Sequence, residues 1–200
     1  MTIWICKPLA ALAALVLLGA CENGGPATVL AGLAPPQDAA LPAVPLTQAL
    51  MMRGKVTLVP PDGYCIDPET LSERFALMAR CDNMGAATGG EGAPAGLLTV
   101  SLVRSGRDAA LPSAQDVATT AGLTPPQAAV RTDTSVVFKT TGTPPSPDLA
   151  AQHWRAVAKV DRFTMGAALF GPEGRRAVSA EGAQVLGQMI KRTTDKTNAG

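Results

Sequence analysis

The chain has 200 residues, with 17 basic and 16 acidic side chains, a single histidine and a formal net charge of +1. A balance this close to zero lacks the basic footprint of nucleic-acid binding. A hydrophobic share of 46% with only 4% aromatics describes a modest core of aliphatic and small side chains.

The first element is an apolar run from Pro8 to Ala20, preceded by Lys7 and closed by Leu18-Gly19-Ala20-Cys21. The run falls short of the roughly 20 apolar residues a membrane span needs, and Lys7 with Pro8 blocks its extension backwards. A positive n-region, an apolar h-region and small residues before the cut are the marks of a cleaved export signal. With cysteine at the cut, the tetrapeptide resembles the lipobox of bacterial lipoproteins. The resemblance implies a signal peptide over residues 1–20, lipidation of Cys21, and a membrane partner reached through that lipid. Several acyl chains hold a protein stably where one holds it only marginally. In such lipoproteins an Asp directly after the lipidated cysteine marks inner-membrane retention. Glu22 stands there instead, which favours the outer membrane, facing the periplasm.

Residues 21–50 are rich in Pro, Gly and Ala and read as an extended tether. At its end Thr47, with Ala49, Leu50 and Met51, reads as a short helix stopped by Gly54. A single domain over 51–192 follows. Lys55 to Val59 is a short strand, and Pro60-Pro61-Asp62-Gly63 a turn. Asp67-Pro68-Glu69 resembles a helix start. The next stretch fits two periods, Leu71, Phe75 and Met78 on a helical face or Phe75, Leu77 and Ala79 alternating as a strand. The reading adopted is a helix to about Glu73 and a strand to Arg80.

Beyond this, Leu98, Val100 and Leu102 alternate with Thr99, Ser101 and Val103 in a half-buried strand. Ser113 and Asp116 form a capping-box variant opening a short helix. Thr134 to Thr140 is a β-branched strand. Trp154 to Val160 and Phe163 to Phe170 are two strands joined at Asp161-Arg162. A last helix begins near Ser179 and ends near Arg192, burying Val185, Leu186, Met189 and Ile190. Gly182 and Gly187 in it are expected to lie against Gly166, Ala167 and Ala168, and residues 193–200 read as a loose tail. The whole is α+β: a mostly antiparallel sheet of five or six strands with the C-terminal helix on one face. This element order, and nothing more, is similar to that of PsbP-like proteins.

Four cysteines are present. Cys6 leaves with the signal and Cys21 takes lipid, so Cys65 and Cys81 remain in an oxidising compartment, where a disulfide is expected. A redox switch or metal pair is the alternative, but no Cys-x-x-Cys accompanies them and His153 is far along the chain. No metal or cofactor is expected. Gly89 to Gly96 lacks the Gly-Lys-Ser/Thr ending of a phosphate loop, Asp82-Asn83-Met84-Gly85 lacks calcium-loop ligands, and no Gly-x-Ser-x-Gly elbow occurs. Asp62, Asp67, Glu69 and Glu73 read as turn and helix-start residues rather than a paired acid site.

Two places are candidates for partner contact. Tyr64, the one tyrosine, sits on the stapled loop Pro60 to Pro68. His153 and Arg155 share an alternating strand face with Lys159, which suits anion contact better than metal binding. These features suggest a non-enzymatic binding or assembly module with an envelope protein as partner. The alternative is a periplasmic hydrolase using His153 or a carboxylate.

Overall fold

The structure, a computed structural model, describes residues 44–200. Cys6, the Leu18 to Cys21 tetrapeptide and most of the tether stretch lie outside the described residues. The described residues form a two-stranded ribbon, a seven-stranded antiparallel sheet and two α-helices, the α+β class expected. Strands β1 (Ala49–Met51) and β2 (Val56–Leu58) make the ribbon. The sheet contains β3 (Tyr64–Ile66), β4 (Phe75–Arg80), β5 (Leu97–Arg104), β6 (Ala128–Arg131), β7 (Ser135–Thr141), β8 (Gln152–Val160) and β9 (Phe163–Phe170), in the order β3-β4-β5-β9-β8-β7-β6. Helix α1 (Ala114–Thr120) lies in the connection from β5 to β6, and α2 (Ala180–Asn198) ends the fold.

Two meanders, β3-β4-β5 and β6-β7-β8-β9, are therefore zipped together along β5 and β9, whose register pairs Leu97 with Phe170 and Arg104 with Phe163. Period-two alternation gives the sheet two faces. Ile66, Met78, Leu98, Val100, Leu102, Met165, Leu169 and Ala156 face the larger core, completed by Val185, Leu186, Met189 and Ile190 of α2 and by Met51, Val56 and Leu58 of the ribbon. On the other face α1 covers only Val136, Phe138 and Val157, through Ala118 and the partly buried Leu111, Val117 and Leu123.

Several sequence expectations are corrected. Thr47 to Gly54 is no helix: Ala49 and Met51 alternate inward as β1, and the chain turns at Met52, Arg53 and Gly54, all at positive φ. Met51 is fully buried, so burial of alternate side chains overrides local helix propensity. Asp67 caps a turn rather than a helix, its Oδ1 accepting from the Glu69 amide at 3.0 Å, and the strand starts at Phe75 as expected. The fold also extends beyond 51–192 at both ends. Leu46 exchanges two backbone hydrogen bonds with Ile66 (2.9 and 2.8 Å), and α2 continues to Asn198.

That continuation has a purpose at the ribbon. Thr193 and Thr197 accept from the outward amides of Val59 and Thr57, each at 3.1 Å. The edge of β2 is thereby covered by helix hydroxyls rather than left as an open row of donors. At the other end of α2, Ser179 accepts from the Glu181 amide as N-cap while its carbonyl accepts from Trp154 Nε1 at 2.6 Å. Gly182 fits against that indole: a Cβ there would lie 2.4 Å from Trp154 Cδ1 and 2.1 Å from the Ala177 carbonyl. Gly182 thus meets Trp154 rather than Gly166, and Gly187 meets nothing within 4 Å.

Candidate binding face

The disulfide expected between Cys65 and Cys81 is present, tying β3 to the residue after β4 with a Cα–Cα distance of 4.8 Å. Beside it Tyr64 is buried, 3% exposed, and its hydroxyl donates to the Pro94 carbonyl at 2.6 Å. Burial pushes the phenol well above its ordinary value. Tyr64 therefore fastens the Gly-rich loop before β5 to β3 and offers no surface to a partner, a correction to its expected role.

His153 and Arg155 do share the α1 side of the sheet, but they are not equivalent there. His153 is fully buried, stacked on Phe170 with ring centroids 4.4 Å apart. Its Nδ1 lies 2.9 Å from the Ala151 carbonyl, and Arg155 Nε donates to its Nε2 at 3.0 Å. These partners assign the neutral tautomer with the proton on Nδ1. Burial, with Arg155 adding to it, holds the imidazole below its ordinary value, against the opposing pull of the Ala151 carbonyl. His153 therefore offers no surface to a partner, a correction to its expected role in partner contact. Both ring nitrogens are engaged, so neither is free to act as a general base.

Arg155 is half-buried, and the one hydrogen bond its side chain makes among the described residues is that to His153. Burial alone lowers its guanidinium from the ordinary value, with no carboxylate offsetting it. Across the strands its neighbours are Phe138 on β7 and Ala168 on β9, and Ala168 in turn pairs with Thr99. The next row carries Val157, Gly166, Ser101 and Phe75. Small residues at 166 and 168 leave a depression of about 130 Å³ between α1 and β4, lined by Arg155, Phe75, Thr99, Ser101, Val117 and Gly166 among others. Phe75 in its lining is 39% exposed, and Val103, one row beyond Ser101 on β5, is 55% exposed.

Other concavities are less specific. Arg104, Arg107 and Arg162 line an open basin near the β8–β9 turn, where Asp161 pairs with both Arg107 and Arg162. Asp62, Glu91 and Glu181 border a cleft at the start of α2, but Arg192 and Gln188 bind Asp62 and Arg176 binds Glu181. Among the described residues no cluster of three or more His, Cys, Asp or Glu side chains is placed to hold a metal ion. No helix of the described residues is long and apolar enough to cross a membrane.

Sequence reasoning found Arg155 and missed Phe75, Thr99, Ser101, Gly166 and Ala168, which come together only through strand pairing. A signal was available in β5, where inward Leu98, Val100 and Leu102 put Thr99, Ser101 and Val103 on the opposite face. Comparison with protein-family models, with curated proteins and with solved structures finds no match.

Proposed function

We propose that this chain is a lipid-anchored module of the bacterial cell envelope, held through Cys21 with its domain facing the periplasm, that binds an envelope partner rather than catalysing a reaction. The lipobox-like Leu18 to Cys21 and the Pro-rich stretch after it support the anchor and the stand-off. The observation carrying the binding reading is the part of the sheet face that α1 leaves uncovered, where exposed Phe75 lines the same depression as Arg155 and Val103 is exposed further along β5. Exposed apolar groups on a sheet face that no helix covers support a contact surface there. Glu22 favours the outer membrane as the site of attachment.

The test is a photoreactive phenylalanine at position 75 in cells, compared with the same probe at Lys191, exposed on α2. A discrete adduct is expected at 75 and not at 191, and it should disappear when Cys21→Ser abolishes lipidation and leaves the precursor uncleaved. Equal adducts at both positions, or none at 75, would overturn the binding face. Mass spectrometry of the mature amino terminus checks the anchor independently: an unmodified first residue other than Cys21 would refute it.

A further inference from the structure

We infer that the depression at Arg155 takes a carboxylate borne on a short apolar group, with His153 as the positioning residue that aims the guanidinium. The inference rests on the reading of the open sheet face as a binding surface and adds the chemistry of what it binds.

A half-buried cation is costly unless a counter-charge or hydrogen bonds compensate it. Among the described residues Arg155 has one such bond, through Nε, and no carboxylate partner. Its two terminal amino groups are left for a ligand, and that planar pair matches the two oxygens of a carboxylate. The Nε bond to a buried, neutral His153, itself fixed by Ala151 and Phe170, sets the plane of the fork before any ligand arrives. Preorganisation of this kind lowers the ordering cost of binding.

Size and composition narrow the ligand further. A depression of about 130 Å³ is small beside the roughly 300–1,000 Å³ of sites that enclose a whole drug-sized molecule. It accommodates a carboxyl group and a few carbons, as at the end of a longer ligand. The Thr99 and Ser101 hydroxyls add donors on one side, while Phe75 and Val117 supply apolar walls. No second basic side chain lines the depression, which disfavours a phosphate dianion.

The experiment titrates the mature lipoprotein in detergent micelles with N-acetylalanine and with butyrate, each against its neutral amide, and with inorganic phosphate, followed by amide NMR. At pH 7 the carboxylates should perturb Thr99, Ser101, Gly166 and Ala168 with about tenfold higher affinity than the amides. Stronger binding of N-acetylalanine points to a peptide carboxyl terminus as the source, and stronger binding of butyrate to an aliphatic acid. Arg155→Gln should abolish the preference with the rest of the spectrum unchanged. His153→Gln, which keeps an acceptor for Arg155, should retain it, whereas His153→Phe, which keeps the stack but not the acceptor, should lose it. Equal affinity for acid and amide overturns the carboxylate while leaving the binding face intact. Tighter binding of phosphate, or a preference surviving Arg155→Gln, also overturns it. A rise in butyrate affinity when Glu22 and Asp38 are both made amides would show the chain's own carboxylate to be the occupant and would overturn an external ligand. Absence of any perturbation removes the carboxylate site, and crosslinking at position 75 then decides the face separately.

Discussion

At the scale of single residues, His153 couples the fold to pH. It is the one histidine of the chain, so no other imidazole contributes between pH 5 and 7. Thr140 pairs with it from β7, Phe170 stacks on it from β9, Gly142 lies near its Cε1, and Arg155 is the charged group that meets it. The folded state keeps it neutral, while the unfolded chain takes up a proton near pH 6.5. Below that value the unfolded state binds more protons, so stability falls as pH drops from 7 through 6 until the folded-state value is reached. Urea midpoints measured across this range should therefore decline in the natural chain and stay flat in His153→Gln. The loss associated with Asp82, Asp116, Asp161 and Glu181, all held below their ordinary values by hydrogen-bonding partners, appears only in the carboxylate range in both. An identical decline in the variant would contradict the buried neutral imidazole. Alternation put His153 and Arg155 on one face from the sequence alone. The burial of one and half-exposure of the other follow from Phe170 and the loops beside it, which strand periodicity does not encode.

At the scale of elements, the two glycines of α2 should behave oppositely. Gly187 lies exposed in the helix interior with nothing within 4 Å of a new Cβ, so Gly187→Ala should raise stability by about 1 kcal/mol through helix propensity. Gly182→Ala sets a methyl against the Trp154 ring and the Ala177 carbonyl and should lower stability by about 1–3 kcal/mol. Urea midpoints at constant m-value read both, and a loss for Gly187→Ala would refute the open environment assigned to it. The helix itself was legible because Val185, Leu186, Met189 and Ile190 recur at its period. Its last turn was not, since Thr193 and Thr197 look like a polar tail until β2 is seen to need acceptors for its amides. The capping box of α1 was legible for the converse reason: Ser113 and Asp116 satisfy one another's backbone within four residues. Strand β6, exposed throughout, gives no alternation to read, and β1 was hidden by helix-favouring Ala, Leu and Met.

At the scale of the whole molecule, the fold depends on two ties at the β3 edge of the sheet. The Cys65–Cys81 bond is one. Replacing both cysteines with Ser should cost about 2–5 kcal/mol, and intact mass of the natural protein under non-reducing conditions should show no free thiol at either position. Leu46 and β1 are the second tie. They place Ala49, Met51 and Met52 in the core, each less than a tenth exposed, and bond to Ile66 at the sheet edge. Composition located the Pro-rich stretch but set its end too late, because Ala49 and Met51 reveal their inward face only once β2 pairs with them. A protein shortened to begin at Val44 keeps every described contact, and its thermal transition should fall within a few degrees of that of a chain beginning at Cys21. One shortened to begin at Arg53 loses two buried methionines at roughly 1.5–3 kcal/mol each, together with the partner of β2. Against the 5–15 kcal/mol by which a domain of this size is stable, that loss should lower the transition by ten degrees or more. If the chain from Arg53 melts like the chain from Val44, the ribbon contributes nothing to the core and its assignment to the fold is wrong.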